Sequence, residues 1–190
     1  MIFDIIFEKL NAMKTRILIC FLLFSFSQIA FSQSRSERKT LKKEKEAKAY
    51  QQTKTLLDNG SFFFNAVWMY PRSGTQINLI NNPGFIKFIS NEDIDMYLPY
   101  VGIVRIGGGL NQPAAIQHKG NTVSYKIDHD DAKGVSTISF TADGSLERYD
   151  ITMTVSSSGH ASIFINSTKR DGIRYSGEIT ALEDQVLTGH

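Results

Sequence analysis

The run Asp128-His129-Asp130-Asp131 collects the densest set of metal-binding donors in the chain. Closely spaced carboxylates can gather a hard cation through their oxygens. The run lacks the glycine and the distal glutamate of a calcium loop, and a polar hairpin loop leading into Lys133-Gly134 accounts for it equally well. Asp128, Asp130 and Asp131 are therefore candidate ligands only, and no metal or other cofactor is expected. His118, His129, His160 and His190 fall in or beside predicted turns or at the terminus, with no i, i+4 pair of the kind that binds zinc on a helix. Gly107-Gly108-Gly109 is followed by no Lys-Ser/Thr and opens no helix, so it is not a phosphate cradle. No serine sits in a Gly-x-Ser-x-Gly elbow. General acid-base work needs titratable groups that converge, and none do here; the chain is not expected to be an enzyme.

A second group of residues points to binding. Trp68, Tyr97, Tyr100 and Tyr175 are aromatics of the kind that line the mouth of a β-barrel, and Arg105 offers one charge for an anionic head group. Pro99 stiffens the segment that carries two of these tyrosines, and Gly107 to Gly109 supply a flexible rim. The competing reading is that inward aromatics of a small barrel simply fill its core.

The elements that must position these residues are strands. From Ser61 to Thr180 the hydrophobic pattern has period two, punctuated by turn residues. Phe62, Phe64, Ala66 and Trp68 share one face; Ile77 and Leu79 follow, then Ile86 and Phe88 after Asn82-Pro83-Gly84. Val123, Tyr125 and Ile127 alternate with Ser124 and Lys126, while Ile138, Phe140 and Ala142 lead into Asp143-Gly144, read as a two-residue type I′ turn. Tyr149, Ile151, Met153 and Val155 alternate with polar partners, and Ala161, Ile163 and Ile165 are followed by Ile173, Tyr175 and Ile179. The stretch Asp93 to Gly109 is the one that breaks the alternation. Without long helices between strands a parallel sheet is excluded. The expected fold is mainly β: about eight antiparallel strands in a meander that closes into a barrel or splits into a sandwich, since an open sheet would leave aggregation-prone edges.

Ahead of this body stand two segments of different character. Lys14 and Arg16, the apolar run Ile17 to Phe24 and the small-x-small exit Ala30-Phe31-Ser32 have the three parts of an export signal, with Met13 as the expected start and cleavage after Ser32. The apolar run is too short to span a bilayer. Residues 33–58 contain no Gly or Pro and read as one charged helix, with Ser34 and Glu37 as a capping box and Asn59-Gly60 as its stop. Only its second half carries a stripe to dock with, at Ala47, Tyr50 and Leu57. That arm holds eight Lys or Arg against four Asp or Glu, whereas residues 59–190 hold ten against thirteen. A basic arm thus precedes a mildly acidic body, a balance suited to an anionic membrane surface and poorly suited to nucleic acid. The only cysteine, Cys20, leaves with the signal, which excludes disulfides and thiolate chemistry from the exported chain. Residues 59–190 are long enough for one β-rich domain with its own core.

Tyr97-Leu98-Pro99-Tyr100 with Gly102 and Arg105, together with Ile173-Arg174-Tyr175-Ser176-Gly177-Glu178-Ile179, resemble the two signature stretches of the exported domain-of-unknown-function family four-two-five-one. The likeness extends over residues 33–190, including the Phe-rich first strand and Glu147-Arg148-Tyr149-Asp150. The chain departs from it at Val101, where an aromatic is usual, and in the late arrival of Arg105. The resemblance implies a β-rich envelope protein and supplies no catalytic residue. The expected function is a non-catalytic, exported binding protein, periplasmic or secreted, for a small apolar or amphiphilic ligand. The alternative is a structural or interaction module of the periplasm or outer membrane with a filled core, contacting another envelope protein.

Overall fold

Alternation becomes strand wherever it is clean: along Arg148–Ser156 each residue on the odd side from Tyr149 is buried and each polar partner between them is exposed. The computed structural model describes residues 37–104, 115–144 and 147–182. The chain divides into two compact units, Met1–Lys45 and Glu46–His190. The described part of the first, residues 37–45, is the exposed beginning of a helix, α1 (residues 37–58). The second carries the rest of α1 and, among the described residues, nine strands. These are β1 (Phe62–Tyr70), β2 (Ile77–Asn78), β3 (Gly84–Phe88), β4 (Asp93–Pro99), β5 (Ala115–Asp130), β6 (Val135–Asp143), β7 (Arg148–Ser156), β8 (His160–Ser167) and β9 (Ile173–Ala181). The export signal expected at residues 1–32 and the expected capping serine Ser34 lie outside the described residues, as do Arg105 and Gly107 to Gly109. Among the described residues no helix is long and apolar enough to cross a membrane.

All pairings are antiparallel, and β1 hydrogen-bonds to β9 as well as to β3, so eight strands close into a barrel with β2 as a short addition beside the end of β1. Closure leaves no long free edge, and a barrel rather than a sandwich is the answer to the edge problem. Phe62, Phe64, Ile86, Phe88, Ile94, Ile138, Ile151, Met153 and Tyr175 are essentially without solvent exposure in the lumen. Burial of each such side chain contributes about 1.5 to 3 kcal/mol before entropy is charged against it. Phe62 stacks on Phe88 at 4.2 Å, and Phe140 meets Phe88 edge-on at 5.5 Å.

The second half of α1 docks through Tyr50, Thr53 and Leu57, spaced three and four apart. Thr53 takes the place expected of Ala47, which is exposed. Tyr50 donates to Asp131 Oδ1 at 2.8 Å, Lys54 pairs with the same oxygen at 2.9 Å, and Thr53 donates to the Ser157 carbonyl at 3.2 Å. His129 bridges Asp58 (2.9 Å) and Ser136 (2.7 Å). The helix stops where expected, with Gly60 at φ 68° accepting the left-handed turn and its N–H donating to the Leu57 carbonyl.

Four expectations are corrected. First, Trp68 is not on the face of Phe62, Phe64 and Ala66: a bulge between Ala66 and Trp68 in the pairing with β9 turns Met69 inward and Trp68 outward. The bulge closes over Gly177, whose Cβ, if present, would sit 1.8 Å from the Asn65 carbonyl oxygen. Second, Asp93–Pro99 does not break the alternation; it is a regular strand that buries Ile94, Met96 and Leu98. Third, Val123 leaves the face of Tyr125 and Ile127, because β5 is bulged between Val123 and Lys126 with Ser124 at φ 57°. Fourth, Asp143-Gly144 is not a two-residue turn: β7 starts only at Arg148, and Gly144 N–H donates to the Glu147 carbonyl at 2.9 Å. Glu147, just before β7, is buried.

Candidate functional site

The aromatics expected at one barrel mouth are distributed over three places. Tyr175 is fully buried in the lumen, where its hydroxyl donates to the Pro99 carbonyl at 2.6 Å, and burial pushes its pKa well above the ordinary tyrosine value. Tyr100 is buried beside it, with its hydroxyl reaching the carbonyls of Ile103 (3.1 Å) and Asp171 (3.3 Å), and its pKa is raised, chiefly by burial. Both fill core space. Tyr97 faces outward on β4 and extends a half-buried stack across Phe85 (6.3 Å) to Phe63 (5.6 Å from Phe85). Trp68 faces outward on β1. Arg105 lies outside the described residues; the four aromatics that are described do not meet at one mouth.

The carboxylates Asp130 and Asp131 are each committed to a lysine. Asp130 pairs with Lys133 at 2.7 Å, and Asp131 with Lys54 and Tyr50; these hydrogen bonds hold both carboxyls below their usual pKa. Asp128 is exposed on β5. Among the described residues no group of three or more His, Cys, Asp or Glu side chains is placed to hold a metal ion.

What the strands do assemble is a groove on the outer wall of β1, β8 and β9, with a volume of about 820 Å³. Cross-strand register builds it in rows. Phe164 on β8 stands opposite Arg174 on β9, and Arg174 opposite Tyr70 on β1; one step along the same face, Ser162 stands opposite Ser176, and Ser176 opposite Trp68. Adjacent strands lie ~4.8 Å apart, so Phe164 and Tyr70 flank Arg174 about 10 Å from each other. Phe164 is 45% exposed, its ring lying against Gly172, where a Cβ would come within 3.1 Å. Tyr70 is fixed by a 3.3 Å hydrogen bond to Ser176. Past Ser176 the groove continues into a second hollow of about 350 Å³ bounded by Trp68, Val67, His160 and Glu178.

The charges along this groove are graded. At one end stand Arg174 and Arg72, and Arg72 has a loose 3.8 Å contact with Asp171. Arg174 has no ion pair or hydrogen bond through its side chain among the described residues. At the far end Glu178 pairs with His160 at 3.2 Å. Another hollow, about 460 Å³ beside Tyr97, has its charges matched by the Asp95 and Lys119 pair at 3.5 Å.

Behind the basic end the wall is held by a buried ion pair. Arg170 and Glu147 are 3% and 9% exposed, and Arg170 Nε donates to Glu147 Oε2 at 2.9 Å. Tyr149 and Ser167 donate to the same carboxylate, Arg170 Nη1 donates to the Ala115 carbonyl at 3.3 Å, and the guanidinium lies 5.1 Å from the Tyr100 ring centre. A buried pair withstands desolvation only when its remaining hydrogen-bonding capacity is met in this way. Burial, and then the charge of Glu147, push the Tyr149 phenol up to about 12.

The groove residues carry a local signal in the sequence. Phe164 is an aromatic between inward Ile163 and Ile165, which puts it on the wet side of its strand, and Arg174 flanks Tyr175 in the same way. An aromatic and an arginine at solvent positions of neighbouring strands are a binding signal; only their register across the sheet was missing. The pairing of Glu147 with Arg170 spans 23 residues and leaves no local signature.

A family model described as a domain of unknown function (DUF4251) matches residues 44–179. Among solved structures, the crystal structure of a DUF4251 family protein from Bacteroides eggerthii DSM 20697 is similar, with 18% identity, a TM-score of 0.57 and coverage of 73% of this chain and 91% of that one. At that identity the likeness establishes the fold. No curated protein matches the chain.

Proposed function

The chain belongs to the DUF4251 family, and from that premise we propose that it is an exported, non-catalytic binding protein of the cell envelope whose site is the outer-wall groove of β1, β8 and β9. The observation that carries this reading is the row Phe164, Arg174 and Tyr70, an aromatic-flanked cation with no acidic partner among the described residues. An arginine in that setting recognises a ligand that combines an anionic group with an apolar face. The lumen is a poorer candidate because bulky side chains occupy it, Tyr175 and Tyr100 among them. Export rests on the leader at residues 13–32.

Native mass spectrometry of protein recovered from the exported fraction of its own host tests both halves of this reading. The expected mass begins at Gln33 and carries an adduct that is absent from Arg174→Glu. An adduct retained by that variant would move the site elsewhere, and an uncut chain in the membrane fraction would remove the export. A wild type without any adduct would favour the second reading, an interaction module with a filled core. That reading draws on Ile80, Val101 and Ile103, which are 82%, 50% and 68% exposed.

A further inference from the structure

We infer that the ligand of this groove is an acidic saccharide chain, stacked on Phe164 and Tyr70 with a carboxylate on Arg174; the inference rests on the outer-wall site and names its ligand class. Three features of the groove select this chemistry. First, the groove is open to solvent, and the cation Arg174 stands between its two aromatics. An acyl chain laid there would keep much of its surface in water and gain little. A pyranose ring offers the opposite combination, with a face of C–H groups that suits the negative face of an aromatic ring and a rim of hydroxyls.

Second, the uncharged polar groups beside the rings are small hydrogen-bonding side chains. Ser162 and Ser176 lie between Phe164 and Trp68 in the register, and Asn166 lies on the other side of Phe164 along β8. Hydroxyl and amide groups that both donate and accept match sugar hydroxyls, which do the same. The span of about 10 Å from Phe164 to Tyr70 leaves room for consecutive rings to contact the two aromatics. The hollow beside Trp68 continues the track along the strands for the next unit.

Third, the charge gradient gives the chain a direction. A planar carboxylate pairs with the forked guanidinium of Arg174, reinforced by Arg72, whose contact with Asp171 is long at 3.8 Å. At the other end Glu178 repels an anionic group while remaining able to accept from hydroxyls. A neutral sugar would leave Arg174 unused, and a bare inorganic anion would leave both rings unused.

Isothermal titration of the purified protein with tetragalacturonate tests this, with the methyl-esterified tetramer and dodecanoate as comparators. The acid should bind at least tenfold tighter than its ester and weaken as salt is raised. Phe164→Ala and Arg174→Ala should each lose at least tenfold, and Phe164→Tyr should restore the stacking contribution; circular dichroism melting of each variant reports that the barrel is intact. Equal affinity for acid and ester, or a saccharide signal indifferent to Phe164, overturns the inference. Binding of dodecanoate alone, dependent on Arg174, would refute the saccharide while leaving the groove as the site. If neither anion binds, the saccharide inference falls, and the mass-spectrometric test decides separately whether the groove holds anything.

Discussion

The inner and outer walls of this barrel are made by the same strands and do opposite things. On β8 the inward residues Ala161, Ile163 and Ile165 are sealed in the core, while Ser162, Phe164 and Asn166 between them line the groove. On β9 the inward Tyr175 is fully buried and its neighbours Arg174 and Ser176 face solvent. Period two forces this division: each residue added to the core places the next one outside. The lumen is filled by apolar and aromatic side chains, and the buried Arg170–Glu147 pair has its hydrogen bonds satisfied. The wall instead keeps an aromatic half-exposed and a cation without an ion-pair partner among the described residues.

The sharpest way to break the comparison is to move one residue along β7. Ile151 is 1% exposed and Thr152 beside it is exposed. Ile151→Asp buries an unpaired carboxylate and is expected to cost more than ~4 kcal/mol, enough to prevent folding. Thr152→Ser should cost under ~0.5 kcal/mol. Urea midpoints for the two variants check this. A sensitive Thr152 beside a tolerant Ile151 would reverse the two walls throughout the sheet.

The ion pair makes a narrower test, because it is polar and yet belongs to the inner wall. Arg170→Met leaves Glu147 buried without its counter-charge and should cost ~3 to 5 kcal/mol. Glu147→Gln added to it removes the orphaned charge, and the double variant should recover much of the loss even though one more native group is gone. Equilibrium unfolding of the wild type, both single variants and the double variant closes the cycle. A double variant as unstable as the sum of the singles would mean that the pair is not coupled.

How much of this was written locally can be judged residue by residue. Ile138, Phe140, Ile151, Met153 and Ile163 were assigned inward from alternation alone, and all are buried. An antiparallel meander, as a barrel or a sandwich, follows from them, and the helix stop at Asn59-Gly60 from turn chemistry; closure rests on the pairing of β1 with β9. Trp68 was misplaced because a bulge is a pairwise event: Gly177, more than a hundred residues later, permits the close approach that turns Trp68 outward. Tyr100 and Tyr175 are ambiguous in the sequence because an inward aromatic of a barrel looks the same whether it lines a hollow or fills one. The groove was missed for the converse reason. Phe164, Arg174 and Tyr70 lie on three strands, and only register makes them neighbours.

The smallest expected effect lies where the inner wall is imperfect. Tyr125 packs at 6.3 Å on Phe140 just past the bulge of β5, and its hydroxyl is buried without a hydrogen-bond partner among the described residues. Burial first, and the nearby Asp58 charge second, push its phenol up from 10.0 to about 12. The neutral form is therefore the one the fold favours. Stability from this group is complete below the unfolded value near pH 10 and is lost as pH rises toward 12, where the unfolded chain has released the proton and the folded chain still holds it. Tyr125→Phe deletes an unsatisfied hydroxyl while keeping the ring, so it should be neutral or stabilising by up to ~1 kcal/mol at pH 7. Its advantage over the wild type should widen at pH 11, because the variant has no proton to lose. Denaturant midpoints at the two pH values read both signs. A variant less stable than the wild type at pH 7 would show that the hydroxyl has a partner after all, and Tyr125 would then belong with the satisfied polar groups of the lumen beside Tyr149 and Tyr175.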